Sequence, residues 1–128
     1  VRLLLDTQTL LWASVDSDYL SRRAREALLD PRNTLYVSAA SAWEAGTKRR
    51  KSRLPEADIF FPDFEAKIRH AGYKALSVSC QHAESAASFS QEHKDPFDRI
   101  LAAQSVSEDL ILISNDKVMD TFGVLRIW

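Results

Sequence analysis

The chain has 128 residues, 45% of them hydrophobic, with three glycines and a formal net charge of −1. This is long enough to bury a core, it excludes a disordered or collagen-like chain, and it leaves nucleic-acid binding to local patches. The lone Cys80 excludes an internal disulfide and a cysteine zinc cluster and reads as a small buried apolar residue, and no apolar run reaches membrane-spanning length.

The chain opens on Leu3, Leu4 and Leu5, a short apolar run that ends on Asp6, and no signal peptide is expected before it. This is the pattern of a strand buried on both faces of a parallel sheet, and it suggests one domain, residues 1–128, in the cytoplasm. A short helix over 7–13 carries Leu10, Leu11 and Trp12, and Ser21 caps a second helix through Leu29, ended by the turn Asp30-Pro31-Arg32-Asn33. Leu35 to Ser38 read as strand two. Ser41-Ala42-Trp43-Glu44 has the spacing of a capping box, so a third helix is expected to open there and run into Lys48-Arg49-Arg50-Lys51 and Arg53. Phe61, Phe64, Ile68 and Ala71 share one helical face, with Gly72 as a stop. Tyr73 to Val78 read as strand three, and Ser79 caps an alanine-rich helix through Phe89.

The most informative stretch runs from His93 to Ser105. Asp95 is placed to accept from a free backbone N–H, Pro96 suits the first helical position, and Phe97, Ile100, Leu101 and Val106 recur at helical spacing. Asp98 falls in the first turn, off that stripe. Leu110 to Ile113 form a second wholly apolar strand that stops at Ser114-Asn115-Asp116, a short helix surrounds Val118 and Met119, and Val124 to Ile127 follow Gly123 as the last strand. Strands alternating with helices imply an α/β fold, a parallel sheet covered on both sides.

Ligands of such sheets sit beyond the carboxyl ends of the strands. Asp6 ends strand one, Asp116 follows strand four, Glu44 lies just after strand two, and the helix carrying Asp98 runs back toward the same edge. Each has a structural explanation: a turn former, a cap for the following helix, a capping box, a partner of the helix dipole. The coincidence of all four at one edge has none. Carboxylates about 5 Å apart repel by roughly 3 kcal/mol per pair at an effective dielectric near 20. A divalent cation offsets this, and oxygen-only ligands favour Mg²⁺ or Mn²⁺ over zinc. Such an ion in an acidic pocket points to phosphodiester hydrolysis.

Thr7, Ser114 and Asn115 are placed to orient the ligands, and Asp95 is either a fifth ligand or, more simply, a cap. Lys48, Arg49 and Arg50 are candidates for delivering phosphates, although their composition equally suits a solvated helix face. Arg99 is expected to pair with an acid or a phosphate. His82 and His93 read as helix-end or surface residues, and Trp12 and Trp43 as core, with an exposed Trp43 marking a partner groove instead.

These motifs resemble those of PIN-domain ribonucleases, in particular the VapC-like toxins of type II toxin–antitoxin pairs. Leu3-Leu4-Leu5-Asp6-Thr7 with Leu10-Leu11-Trp12, Ser38 to Glu44, the Asp-Pro-Phe-Asp-Arg core of 95–99, and Ser114-Asn115-Asp116 carry the resemblance over nearly the whole chain. It implies a three-layer α/β/α domain with strand order 3-2-1-4-5, an acidic metal site of Asp6, Glu44, Asp98 and Asp116, and a homodimer. It also implies an antitoxin that fills the groove and brings the pair to operator DNA.

Two residues depart from the pattern. Gln8 stands where histidine is usual, and Gly46 interrupts the third helix, where it costs about 1 kcal/mol against alanine. The activity expected is a Mg²⁺-dependent endoribonuclease acting on RNA as a toxin. An aspartyl-phosphate domain would want an acid at position 8, and a PIN-like module that binds RNA or protein without cutting has no reason to tolerate four repelling acids.

Overall fold

Three leucines at the start of the chain set the layout of the computed structural model, which describes residues 1–52 and 55–128. β1 (Arg2–Leu5) pairs in parallel with β2 (Thr34–Ser38) on one side and β4 (Ile111–Ile113) on the other, with Leu5 opposite both Val37 and Ile113. β3 (Lys74–Leu76) adds outside β2 and β5 (Arg126–Ile127) outside β4, giving a five-stranded parallel sheet in the order β3-β2-β1-β4-β5. Successive side chains of a strand point to opposite faces. Leu3 and Leu5 accordingly join one core cluster with Leu10, Leu11 and Ile68, whereas Leu4 joins another with Leu101, Leu112 and Met119. This two-sided burial explains the unbroken apolar run.

The first cluster is covered by α1 (Thr7–Ser14), α2 (Arg22–Leu29), α4 (Pro55–Asp58) and α5 (Phe64–His70). The second is covered by α7 (Pro96–Ser107) and a 3-10 helix (Lys117–Phe122) that ends on Gly123 at φ +82°, a conformation suited to glycine. α6 (Cys80–Ser88) packs against α7, and α3 (Ala39–Ser52) joins α1, α4 and α7. Among the described residues no helix is long and apolar enough to cross a membrane.

Several local expectations are corrected. α3 opens at Ala39, directly from β2, because the Ser38 hydroxyl accepts from the Ala40 N–H at 3.0 Å. No capping box forms at Ser41. That serine is buried within the first turn, where its Oγ accepts from Thr7 Oγ1 at 2.9 Å and joins α3 to α1. Glu44 is thereby left without a capping task. The helix continues through Gly46, and the Phe61 ring lies 3.5 Å from where a Cβ would stand.

Phe61 itself precedes α5, separated from it by Pro62, which keeps the preceding residue out of helical conformation. Ala71 is the exposed C-cap of that helix. β3 is shorter than expected, and Cys80 and Val106 are exposed. His82 is buried instead of lying at the surface. It completes a capping box with Ser79, Nδ1 accepting the Ser79 N–H at 3.0 Å, while Nε2 donates to Glu108 Oε1 at 3.0 Å.

The start of α7 forms as expected, with the Asp95 carboxylate accepting from the N–H groups of Phe97 and Asp98 and Pro96 in the first turn. Arg99 then turns back under the 89–93 loop. Its guanidinium donates to the carbonyls of Ala86 (2.8 Å), Phe89 (2.7 Å), Gln91 (2.7 Å) and His93 (3.0 Å), between the rings of Phe89 and Phe122. Hydrogen bonds to a charged donor contribute more than neutral ones, and each abandoned carbonyl carries a desolvation cost. Arg99→Ala should therefore lower stability by about 3 kcal/mol in urea unfolding. A loss within about 0.5 kcal/mol, the range of ordinary surface changes, would show that the loop holds its shape without the clamp.

Candidate active site

The parallel sheet puts the carboxyl ends of β1, β2 and β4 along one edge, and α7, leading into β4, starts at that edge. Asp6, Glu44, Asp98 and Asp116 meet there in a cleft of about 320 Å³, together with Thr7, Gln8, Trp12, Lys48, Asp95 and Asn115.

Each acid is held by its own local structure. Asp6 caps α1, its Oδ1 accepting the Thr9 N–H at 2.8 Å, while the Thr9 hydroxyl donates to the Ile113 carbonyl and ties that turn to the end of β4. Asp116 caps the 3-10 helix through the Val118 N–H at 3.1 Å, and its own N–H donates to the Ser114 hydroxyl. Asp98 Oδ2 accepts from His93 Nε2 at 2.8 Å. Glu44 is buried and pairs with Lys48, one helical turn on, at 3.0 Å.

The charges sense one another. Burial pushes the Asp6 carboxyl above its ordinary range, against hydrogen bonds from Ser114 and Thr9, and the Glu44 charge adds to the rise. Burial likewise raises Asp98, against the His93 hydrogen bond, with Asp95 and Glu44 pushing it further. The donors are carboxylate, hydroxyl and carboxamide oxygens. Among the described residues, however, no three acidic, histidine or cysteine side chains stand close enough to enclose one ion. The oxygen donor set is of the kind that hard divalent cations take.

The expected cationic residues divide. Lys48 lines the cleft, but Arg49 and Arg50 are rotated about 100° and 200° further round α3 and line a separate groove with Pro55, Asp58 and Phe61. Arg49 is paired there with Asp58 at 2.6 Å and lies over the Phe61 ring. Arg99 is committed to four backbone carbonyls, one in the last turn of α6 and three in the loop after it, which corrects its expected role as a phosphate ligand. Arg53 lies outside the described residues. Ser114 is fully buried behind the cleft, in contact with Asp6 and Asp116.

Two features of the site escaped sequence reasoning. His93, read as a helix-end or surface residue, is half-buried and orients Asp98. Trp12, read as core, is half-buried and lines the cleft with Gln8, four residues earlier on α1. The Gln8–Trp12 spacing was the available signal, since it places both on one face of α1, opposite the buried Leu10. Trp43 is 67% exposed, its ring edge-on to Phe97 at 4.9 Å, the circumstance that marks a partner groove.

Solved structures share this architecture. A chain of VapBC2 from Rickettsia felis, crystallised with a DNA fragment from its promoter, superposes with a TM-score of 0.68 at 16% identity, over 100% of this chain and 99% of that one. VapC20 from Mycobacterium tuberculosis, a toxin that cleaves the sarcin–ricin loop, gives 0.68 at 15% identity over 98% of each chain. DNA-bound VapBC from Salmonella typhimurium gives 0.67 at 16% identity over 100% and 97%. At such identities the likeness speaks for the fold alone. No curated protein matches the sequence. The model of the PIN domain family matches residues 3–125, and with the sheet order and the cleft at its carboxyl edge this establishes that the chain belongs to the PIN domain family.

Proposed function

We propose that the chain is a Mg²⁺-dependent endoribonuclease, the toxin of a type II toxin–antitoxin pair, with Mn²⁺ able to substitute. The observation that carries this reading is the meeting of Asp6, Glu44, Asp98 and Asp116 in one cleft at the carboxyl edge of the sheet. Burial and mutual repulsion raise Asp6 and Asp98, a cost that a bound cation offsets. Asp6, Asp98 and Asp116 would hold the ion, directly or through water, with Glu44 completing the negative wall. When bound, the ion supplies a water of lowered pKa and polarises the phosphodiester that the water attacks.

The protein's own groups prepare this chemistry. The Thr9 N–H fixes the Asp6 carboxylate by donating to it, and His93 Nε2 fixes one oxygen of Asp98. Lys48 Nζ stands on Glu44 at the rim, where an incoming phosphate competes for it. Thr7 joins α1 to α3 and so fixes the distance between Asp6 and Glu44.

Likeness to the VapBC assemblies supports an antitoxin as partner, and operator DNA reached only through it accords with the net charge of −1. For the homodimer, exposed Trp43 on Phe97 offers an apolar patch that a second copy can cover.

Single-stranded RNA should be cut in Mg²⁺ by the wild type. Asp6→Asn and Asp98→Asn should each lose more than about 100-fold, beyond what removal of an outer-shell partner costs. RNA bound by all three proteins and left whole would make the chain a binding module.

A second outcome concerns stability. Both aspartates have folded-state pKa values above the ordinary 3.8, so the folded protein binds these protons more tightly than the unfolded chain. Their contribution to stability is fully present below about pH 4 and is lost as pH rises through the raised values. Asparagine still caps a helix. Asp6→Asn should therefore unfold at a higher temperature than the wild type at pH 7 without divalent ions, and the advantage should vanish at pH 3. Mg²⁺ should raise the midpoint of the wild type and leave Asp6→Asn nearly unmoved. A wild-type midpoint indifferent to Mg²⁺ would contradict the metal assignment.

A further inference from the structure

We infer that the α1 wall of the acid cleft is a nucleobase subsite, in which Trp12 stacks on the base of a nucleotide flanking the phosphate to be cut and Gln8 and Asn115 meet that base's edge. The inference rests on the reading of the chain as an RNA-cutting enzyme and adds how the substrate is held.

Half of the residues lining the cleft are acids, Asp6, Glu44, Asp95, Asp98 and Asp116, so beyond the ion they would hold the cleft offers the phosphates of a polyanion little attraction. The remaining side chains must supply affinity. Lys48 offers a charge, but it is already paired with Glu44 at 3.0 Å. Stacking is the sequence-tolerant alternative, because every base has an apolar face, and single-stranded RNA is commonly gripped in this way.

Trp12 is suited to that task and is little needed elsewhere. Leu10 and Leu11 of α1 are buried in the core, and Trp128 packs against the same cluster, whereas Trp12 stays half-buried at the cleft. Its ring is braced by Trp128, with centroids 5.8 Å apart, and by Tyr19 at 5.3 Å, the latter 75% exposed. A ring already held in place loses little side-chain freedom when a base settles on it.

Gln8 stands one turn earlier on the same face, and Asn115 enters from the loop after β4. Both carboxamides line the cleft. Each offers a donor and an acceptor side by side, the arrangement that pairs with the edge of a base. Aromatic face, amide edges and acid cluster share one cleft, so one nucleotide can place its base on α1 and its phosphate at the ion that the carboxylates would hold.

The test leaves the protein intact at first. An RNA oligonucleotide with one mapped cleavage point is remade with an abasic ribonucleotide on either side of that point. In Mg²⁺ one of the two abasic substrates should be cut with kcat/KM lowered about 10- to 100-fold, mainly through KM, as loss of one stacked base implies. Trp12→Leu should cut the abasic and parent RNAs alike, Trp12→Phe should keep most of the discrimination, and Gln8→Ala should change the preference among the four bases at that position. Abasic substrates cut as well as the parent by the wild type, or an equal penalty in Trp12→Leu, would overturn the subsite and assign the aromatic wall to a protein partner.

Binding is read separately on Asp6→Asn, with 2-aminopurine walked along the RNA. Its emission should fall at one position and recover when Trp12→Leu is added. RNA that is bound and quenched by Asp6→Asn yet never cut by the wild type would overturn the nuclease reading and uphold the subsite. RNA cut by the wild type but unquenched at every position overturns the subsite alone.

Discussion

Like charges brought together by a parallel sheet are the constraint on which the rest of this structure depends. A parallel sheet sends every strand out at the same edge, so residues that end strands or open helices there are neighbours whatever their separation in sequence. In this chain those positions carry carboxylates, and burial leaves Asp6 and Asp98 reluctant to ionise. A fold that keeps such a cluster carries a standing cost unless something positive enters the cleft. A cation bound there turns a destabilising arrangement into a ligand set.

Much of the surrounding structure reads as support for that edge. The Thr7–Ser41 hydroxyl pair holds α1 against α3, and Thr9 bridges the same turn of α1 to the end of β4, so three carboxylate-bearing segments are tied by buried hydrogen bonds. On the far side Arg99 gathers the carbonyls of the loop before α7, including that of His93, whose ring then orients Asp98. The Arg next to the acid thus serves the acid at one remove, through the loop. Groups this well braced lose little freedom when a ligand arrives, which is the use of rigid support around a reactive site.

The features legible in the sequence were those with one physical solution. Three leucines closed by an aspartate fit a doubly buried strand and little else, and Asp95-Pro96 fits only a helix start, so the sheet and the edge position of all four acids could be read in advance. The features that were not legible turned on a choice between near-equals. Ser38 and Ser41 can both open α3, and the nearer one does, which frees Glu44 from a cap. Lys48, Arg49 and Arg50 are consecutive in sequence but point in different directions round a helix, so only Lys48 reaches the cleft. His82 owes its second partner to Glu108 at the far end of α7, and Arg99 its partners to backbone carbonyls before α7, information that no local pattern holds. Trp12 was misread because its hydrophobicity was weighed without its position, four residues from Gln8 on the outer face of α1.

Crystals soaked in Mn²⁺ and measured at a wavelength where manganese scatters anomalously test the central claim most directly. The account predicts an anomalous peak in the cleft with Asp6, Asp98 or Asp116 among its direct ligands and ordered water completing the shell. A cleft without such a peak, under conditions in which the crystals take up manganese elsewhere, would contradict it.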